Sequence, residues 1–225
     1  VSRLGRSVRR MFGQLQSRLS YIGEFAGNVS HEFKTPISTL KGTLELMRDD
    51  ADMPVTQRGR FLDNGLKEVD RLERLLTGLL RLARAEEGGT RETVDLDELL
   101  VGVAERHPQV EVHPAGGRVS GNAEQLRAAL DNLVANALRH GQTVVVKGFC
   151  TGATVGFEVR DDGPGISPAN QPKVFDRFFT TERGAGGTGL GLALVRAICH
   201  GHGGRVSLQS SPGQTVFRVA LPRSG

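Results

Sequence analysis

Two apolar stripes at helical spacing, joined by one tight turn, constrain this chain more than any other feature. Val29, Phe33, Ile37, Leu40, Leu44 and Met47 recur at intervals of three and four residues and define one face of a helix. Phe61, Leu62, Leu66, Val69, Leu72, Leu76, Leu79 and Ala83 supply a returning stripe. Between them Arg48 to Thr56, with two Asp-containing breaks and Pro54, reads as the turn of a helical hairpin. Two helices enclose little core. A symmetric dimer that buries both stripes in a four-helix bundle resolves that shortfall, so a homodimer is expected.

The seam extends upstream. Leu4, Val8, Met11, Leu15, Leu19, Ile22, Ala26 and Val29 step by 4, 3, 4, 4, 3, 4 and 3, a heptad pattern with one four-residue insertion near Leu15. Such a stutter locally unwinds a coiled coil. Arg3, Arg6, Arg9 and Arg10 fall off the seam and read as a solvated helix face rather than a nucleic-acid or membrane patch.

His31 lies about 200° round the helix from Val29 at roughly 3.6 residues per turn, so it faces water. Glu32 beside it offers a carboxylate that can accept from one imidazole nitrogen and make the other a better nucleophile. Thr35 is one turn on, on the same face. Pro36 has no N–H for the carbonyl of Glu32, so the helix is expected to bend or loosen there. A lone exposed histidine requires no function, and the weight falls on the rest of the chain.

Glu86-Glu87-Gly88-Gly89-Thr90 reads as a linker. Beyond it, Leu96 to Glu105, Ala123 to His140 and about Leu190 to His202 pattern as helices, the last stopped by Gly203-Gly204. Thr143 to Lys147, Thr154 to Asp161, Val206 to Gln209 and Thr215 to Leu221 carry the β-branched alternation of strands. The expected fold class is α + α/β, a helical-hairpin four-helix-bundle dimer domain followed by an α/β sandwich with helices on one face of its sheet.

Within the second part, Asn132 and Asn136 sit one turn apart on one helix face, with Arg139 three residues later. A neutral amide oxygen can ligate Mg²⁺ without adding negative charge beside a triphosphate, and Arg139 can pair with phosphate, although buried polar contacts or a helix end explain paired Asn equally well. Asp161-Asp162-Gly163-Pro164-Gly165 follows a strand, so Asp161 could accept from the exocyclic amine of adenine while Gly163 and Gly165 let backbone approach the base. Gly184-Ala185-Gly186-Gly187-Thr188-Gly189 matches the dinucleotide-binding glycine pattern literally, but it lacks the preceding strand and the acidic residue about 20 positions on. Read as Gly187-Thr188-Gly189-Leu190-Gly191 leading into a helix, it is a loop whose backbone N–H groups and helix N-terminus can hold phosphates. No G-K-[ST] follows, so it is not a Walker A loop.

Taken together, these segments resemble a known family, the sensor histidine kinases of two-component signalling. Asn28-Val29-Ser30-His31-Glu32-Phe33-Lys34-Thr35-Pro36-Ile37 is similar to its HisKA-type phospho-acceptor box, with Phe33, Lys34 and Ile37 where Leu, Arg and Leu are more usual. Asn132/Asn136, then Asp161/Gly163/Gly165, then Phe175/Phe178/Phe179, then Gly187/Gly189/Leu190/Gly191 resemble the N, G1, F and G2 boxes of the GHKL ATP-binding fold. Pro212-Gly213-Gln214-Thr215 resembles the later strand whose Thr215 helps hold adenine. Asn122, where Asp is common, and the short segment Thr180 to Gly184 depart from the pattern.

The resemblance implies residues 1–20 as the end of a HAMP-like coiled-coil linker, 21–88 as the dimerisation and phosphotransfer domain, and 89–225 as the ATP-binding domain. It implies ATP and Mg²⁺ as cofactors, His31, Glu32 and Thr35 as catalytic residues, and Asn132, Asn136, Arg139, Asp161, Gly163, Gly165, Gly187, Thr188, Gly189, Leu190, Gly191 and Thr215 around the nucleotide, with Asn136 on the metal. Autophosphorylation of His31 would be followed by transfer to an aspartate of a response-regulator receiver domain, with Thr35 placing a water for the reverse dephosphorylation.

Composition leaves this reading open without deciding it. A formal charge of +4 and a pI near 9.5 suit an anionic partner, which a nucleoside triphosphate satisfies without nucleic acid. Cys150 and Cys199 have neither metal-ligand spacing nor a disulfide framework and fit a reducing compartment. No apolar run is long enough to span a bilayer. The chain begins at Val1 and is expected to be the cytoplasmic portion of a bacterial inner-membrane protein whose N-terminal sensor region lies outside it. Two rivals stand beside the kinase: a GHKL ATPase of the gyrase, chaperone or mismatch-repair kind, which leaves His31 unexplained, and a non-enzymatic nucleotide-binding scaffold or basic nucleic-acid binder.

Overall fold

The computed structural model describes residues 3–87, 89–182 and 187–224, with side chains from residue 23 onward except residue 24. The side chains of the upstream seam, Leu4 to Ile22, and of Arg3 to Arg10 lie outside that description, as do Gly88, Gly184, Ala185 and Gly186. The chain divides into two compact units, Val1–Arg74 and Leu75–Gly225.

The first unit is helical. Helix α1 (Arg3–Asp49) and helix α2 (Val55–Glu87) flank a short turn, as the stripes and Pro54 require. The backbone stays helical on both sides of Pro36, so the expected loosening does not break the helix. The hydroxyls of Ser30, Thr35 and Thr39 donate to carbonyls four residues back on either side of it. The helices approach closely at Gly65, where an added Cβ would sit 3.6 Å from a methyl of Leu40. Ile37, Leu44, Leu46, Leu62, Leu66 and Val69 remain exposed, so the stripes that define the hairpin are not covered by it.

In the second unit the last turns of α2 bury Leu75, Leu82 and Ala85, while Leu76 is exposed. The expected stripe through Leu76, Leu79 and Ala83 therefore rotates at its end, because these turns pack within the second unit rather than continuing the hairpin seam. Strand β1 (Glu92–Asp95) leads into α3 (Leu96–Arg106), capped by the Asp95 carboxylate on the Asp97 N–H. Strands β2 (Val110–His113) and β3 (Arg118–Gly121) precede α4 (Ala123–His140), where Asn122 Oδ1 accepts from the Gln125 N–H at 2.9 Å. Asn therefore caps as Asp would. Strands β4 (Val144–Thr151), β5 (Thr154–Asp161), β6 (Arg205–Ser211) and β7 (Gln214–Pro222) and helix α5 (Gly191–Gly201) complete the unit.

The main sheet has the order β2-β4-β5-β7-β6, parallel only between β2 and β4, and β1 pairs with β3 in a separate ribbon. Val146, Phe157, Val159, Phe217 and Val219 of one sheet face are buried with Leu130, Leu133, Val134, Val195 and Ile198 of α4 and α5. The alternation predicted for β5 and β7 thus sets which face meets the helices. Three four-residue strands, β1, β2 and β3, escaped the sequence reading because they are too short to show a period. His202 ties the two helices together: its Nε2 accepts from the Asn122 N–H at 3.0 Å, which leaves its Nδ1–H to donate to the Ile198 carbonyl at 2.7 Å.

Candidate functional site

On α1, His31 projects into solvent with its side chain 73% exposed, as its angle from Val29 requires. Glu32, about 100° further round the helix, is buried. Its partner is Arg71 on α2, whose Nη2 donates to Glu32 Oε2 at 3.2 Å, with Glu68 a further 3.8 Å from Arg71. Glu32 Oε1 lies 3.9 Å from His31 Nδ1, beyond hydrogen-bond length. Thr35 Oγ1 donates to the His31 carbonyl at 3.4 Å, a long contact one turn away. Arg71 was not legible in the sequence, because the register between two helices is a tertiary property.

In the second unit, Asp161 and Thr215 are cross-strand partners on β5 and β7, both facing the buried side of the sheet. Asp161 Oδ1 accepts from the Gly163 N–H at 3.0 Å, and its other oxygen takes no hydrogen bond among the described residues. Burial pushes the Asp161 carboxyl above the usual carboxylate range, against the pull of the Gly163 N–H and of nearby His140. Glycine is required around it: an added Cβ at Gly163 would lie 2.8 Å from Asp161 Oδ1 and 2.8 Å from the His140 carbonyl oxygen, and Gly165 has φ +81°. Asp162 fastens this corner by accepting from the Thr143 and Gln142 N–H groups at 2.9 and 2.8 Å, and these bonds, Thr143 foremost, hold its own carboxyl below the usual range.

Further along α4, Asn132 places Oδ1 where a Cβ on Gly191 would be 2.8 Å away, at the start of α5, while its Nδ2 donates to the Ala128 carbonyl. The glycine segment turns tightly before that helix. Gly189 has φ +66°, its carbonyl accepts from the Phe178 N–H at 2.9 Å, and a Cβ there would strike the Phe178 backbone at 2.4 Å. Phe178 itself has φ +62°, a conformation that marks the aromatic segment as locked to the glycine turn. Thr188 Oγ1 accepts from the Leu190 N–H at 3.4 Å. Arg139 is paired with Glu182 at 3.0 Å, and the Gly187 N–H donates to the Glu182 carbonyl.

The predicted residues thus gather along α4: Asp161, Gly163, Gly165 and Thr215 at its C-terminal end, and Asn132, Gly187, Thr188, Gly189, Leu190 and Gly191 beside the start of α5. Asn136 between them is half-buried, and its side chain makes no hydrogen bond among the described residues. The donor set fits an adenine nucleotide: a buried carboxylate for an amine, a backbone cradle that a Cβ would fill, and a helix N-terminus with a glycine loop. One neutral amide fits Mg²⁺ only where phosphate and water complete its shell, and no cluster of three acidic, His or Cys side chains exists among the described residues.

Two family models match the chain: the His Kinase A (phospho-acceptor) domain over residues 21–88, and the histidine kinase-, DNA gyrase B- and HSP90-like ATPase over residues 121–225. The sensor-like histidine kinase SenX3 of Mycobacterium tuberculosis is 36% identical over 219 residues, covering 88% of this chain and 53% of SenX3. Full-length ShkA, solved in complex with AMPPNP, matches with a TM-score of 0.62 at 27% identity over 87% of this chain and 44% of ShkA. Histidine kinase ThkA, solved in complex with the response regulator protein TrrA, shares the fold with a TM-score of 0.73 at 24% identity over 100% of this chain and 68% of ThkA. The chain spans about half the length of the curated relatives it matches.

Proposed function

This chain belongs to the sensor histidine kinases of two-component signalling, and on that premise we propose that it transfers the γ-phosphoryl of ATP to His31 and then to an aspartate of a response-regulator receiver domain. The observation that carries the reading is the pairing, in one chain, of a solvent-exposed imidazole on a helix with a buried carboxylate set in a glycine cradle.

Asp161 accepts from the adenine amine, Thr215 completes the base corner, and Gly163 and Gly165 admit the ring. Gly187, Thr188, Gly189, Leu190 and Gly191 hold phosphates through backbone N–H groups and the start of α5. Asn132 and Asn136 line the same helix face, and Arg139 exchanges Glu182 for phosphate. Asn136 would hold Mg²⁺, which spreads the charge that develops on the phosphates. An imidazole nitrogen of His31 attacks the γ-phosphorus, the bond to the β-phosphate oxygen breaks, and ADP leaves. The imidazole proton passes to Glu32: drawing its carboxylate closer by about 1 Å makes the hydrogen bond to Nδ1, and the Arg71 contact holds that carboxylate in place. In the reverse direction Thr35 positions a water against the receiver's phosphoaspartate.

The exposed stripes of the hairpin supply the surface for a second copy, giving a homodimer. We assign residues 1–20 to a signalling linker, 21–88 to the phosphotransfer domain and 89–225 to the ATP-binding domain. No described helix is long and apolar enough to cross a membrane. Membrane attachment would come from a sensor region outside these residues, with this portion on the cytoplasmic side.

Incubation of the chain with γ-labelled ATP tests the proposal: a histidine kinase retains acid-labile, base-stable label. A clamp-type ATPase would release labelled phosphate and retain none, and a scaffold would bind ATP with neither outcome.

A further inference from the structure

We propose that Ser210 is a positioning residue of the base corner: it aims the hydroxyl proton of Thr215 at the bound base and braces the glycine turn that covers it. The proposal rests on the reading of Asp161 and Thr215 as the adenine-reading pair. It begins with register. Asp161 on β5 is paired with Thr215 on β7, and Thr215 with Ser210 on β6, so the three side chains form one row across adjacent strands. Asp161 and Thr215 are buried and Ser210 is half-buried.

Ser210 Oγ accepts from the Ile166 N–H at 2.8 Å and lies 3.0 Å from Thr215 Oγ1. A hydroxyl has one proton to give. Among the described residues Thr215 Oγ1 is the one acceptor within reach of Ser210 Oγ–H, since the other contact of Ser210 is already an N–H donor. If Thr215 donated instead, the Ser210 proton would have no partner among the described residues, and one hydrogen bond of the row would be lost. The satisfied arrangement is Ile166 N–H to Ser210, then Ser210 O–H to Thr215. That order leaves the Thr215 proton pointing outward as a donor beside the acceptor carboxylate of Asp161. A donor next to an acceptor is complementary to the amine and adjacent ring nitrogen of adenine, and mismatched to the corresponding edge of guanine.

The same side chain fixes the cover of the corner. Ile166 follows Gly165, which has a φ of +81° and where an added Cβ would lie 2.5 Å from the Ser211 carbonyl oxygen. Gln171 Nε2 donates both to the Ile166 carbonyl at 2.9 Å and to the Ser210 carbonyl at 3.1 Å, and the Gly213 N–H donates to the Gly163 carbonyl at 3.0 Å. The glycine turn is therefore stitched to β6 and to the β6–β7 turn at three points, with Ser210 contributing to two of them.

The test is steady-state label incorporation from γ-labelled ATP, with ATP and GTP affinities by calorimetry, on the 225-residue chain. Ser210→Ala should raise both the KM and the Kd for ATP about tenfold and narrow the preference for ATP over GTP, with kcat at saturating ATP kept within about twofold. Ser210→Thr, which retains the hydroxyl, should restore ATP affinity. Should the alanine variant fail to fold, Ser210→Cys reads the same quantity, because a thiol keeps the volume but donates and accepts weakly. In a Thr215→Val background Ser210→Ala should cost distinctly less than in the parent. Unchanged ATP affinity in folded Ser210→Ala or Ser210→Cys, or a fall in kcat and melting temperature with the ATP to GTP ratio intact, overturns the proposal. If the parent chain itself binds no ATP, the underlying site reading falls instead.

Discussion

In the hairpin Leu44 is 61% and Leu66 62% exposed, whereas in the sheet domain Phe157 and Phe217 are 1% and 0% exposed. Both regions are built from periodic patterns of apolar and polar residues, about 3.6 in the helices and about 2.0 in the strands, yet only the second covers its own apolar surface. The difference is dimensional: two helices have one line of contact, while a sheet with helices on one face encloses a layer. Each leucine left in water forgoes about 2 kcal/mol of burial, so the hairpin alone is short of core. Polar chemistry follows the same division. The reactive group of the hairpin, His31, sits in solvent beside a buried ion pair of Glu32 with Arg71. In the sheet domain Asp161 is buried and Ser210 half-buried, and each accepts from a backbone N–H.

The sharpest way to break this contrast is to remove chemistry from one region and read it in both. His31→Gln should abolish phosphoryl incorporation while ATP affinity stays within about threefold, since His31 belongs to a different compact unit from the nucleotide contacts. Retained label on the mutant would transfer the acceptor role elsewhere.

Leu44→Arg combined with Leu66→Arg tests whether the open stripe is completed by a second copy. Burying unpaired charge costs several kcal/mol, on the order of 3 or more, so light scattering should report a monomer in place of a dimer. Calorimetry should find ATP binding within about twofold of the parent, because the sheet domain encloses its own core. A parent chain that is already monomeric would sink the idea.

A smaller effect is expected from the buried carboxylate. Asp161→Asn should weaken ATP by roughly ten- to a hundredfold, the loss of a charge-assisted hydrogen bond, and collapse discrimination against GTP. The pH dependence carries a sign. The ionised carboxylate accepts from the amine, and burial raises its pKa, so affinity is lost as pH falls through a value above the ordinary aspartate figure of about 3.9. The Asn variant should lose that acid limb, and an unchanged titration would assign it to another group.

Thr35→Ala is the subtlest comparison, within the hairpin itself. Its hydroxyl makes only a 3.4 Å contact to the His31 carbonyl, so autophosphorylation should survive its loss. Dephosphorylation of a receiver should slow by roughly tenfold if the hydroxyl holds the attacking water. Equal losses in both reactions, with a lower melting temperature, would reduce Thr35 to a helix back-bond.

Periodicity and punctuation were enough for much of the architecture. The spacing of Val29 to Met47 and the turn at Pro54 specify a hairpin, and the alternation from Thr154 to Asp161 specifies β5 with Asp161 at its end, because these are local properties of a chain with 3.6 and 2.0 repeats. The exposure of His31 follows from the same geometry. The turn positions Gly163, Gly165 and Gly189 were legible as glycines, and the structure adds what each would strike. Strands of four residues carry too little period to read, and β2 exists by virtue of parallel pairing with β4.

What tertiary structure alone decided is partnership. Nothing in the order of residues says that Glu32 meets Arg71, that Leu75 rather than Leu76 is buried, or that Asp161, Thr215 and Ser210 stand in one row across three strands. Apart from Ser210 and Thr215, which face each other across one hairpin, those contacts join residues tens of positions apart, and each depends on interhelical register or strand pairing. A local pattern leaves both undetermined until the whole core closes.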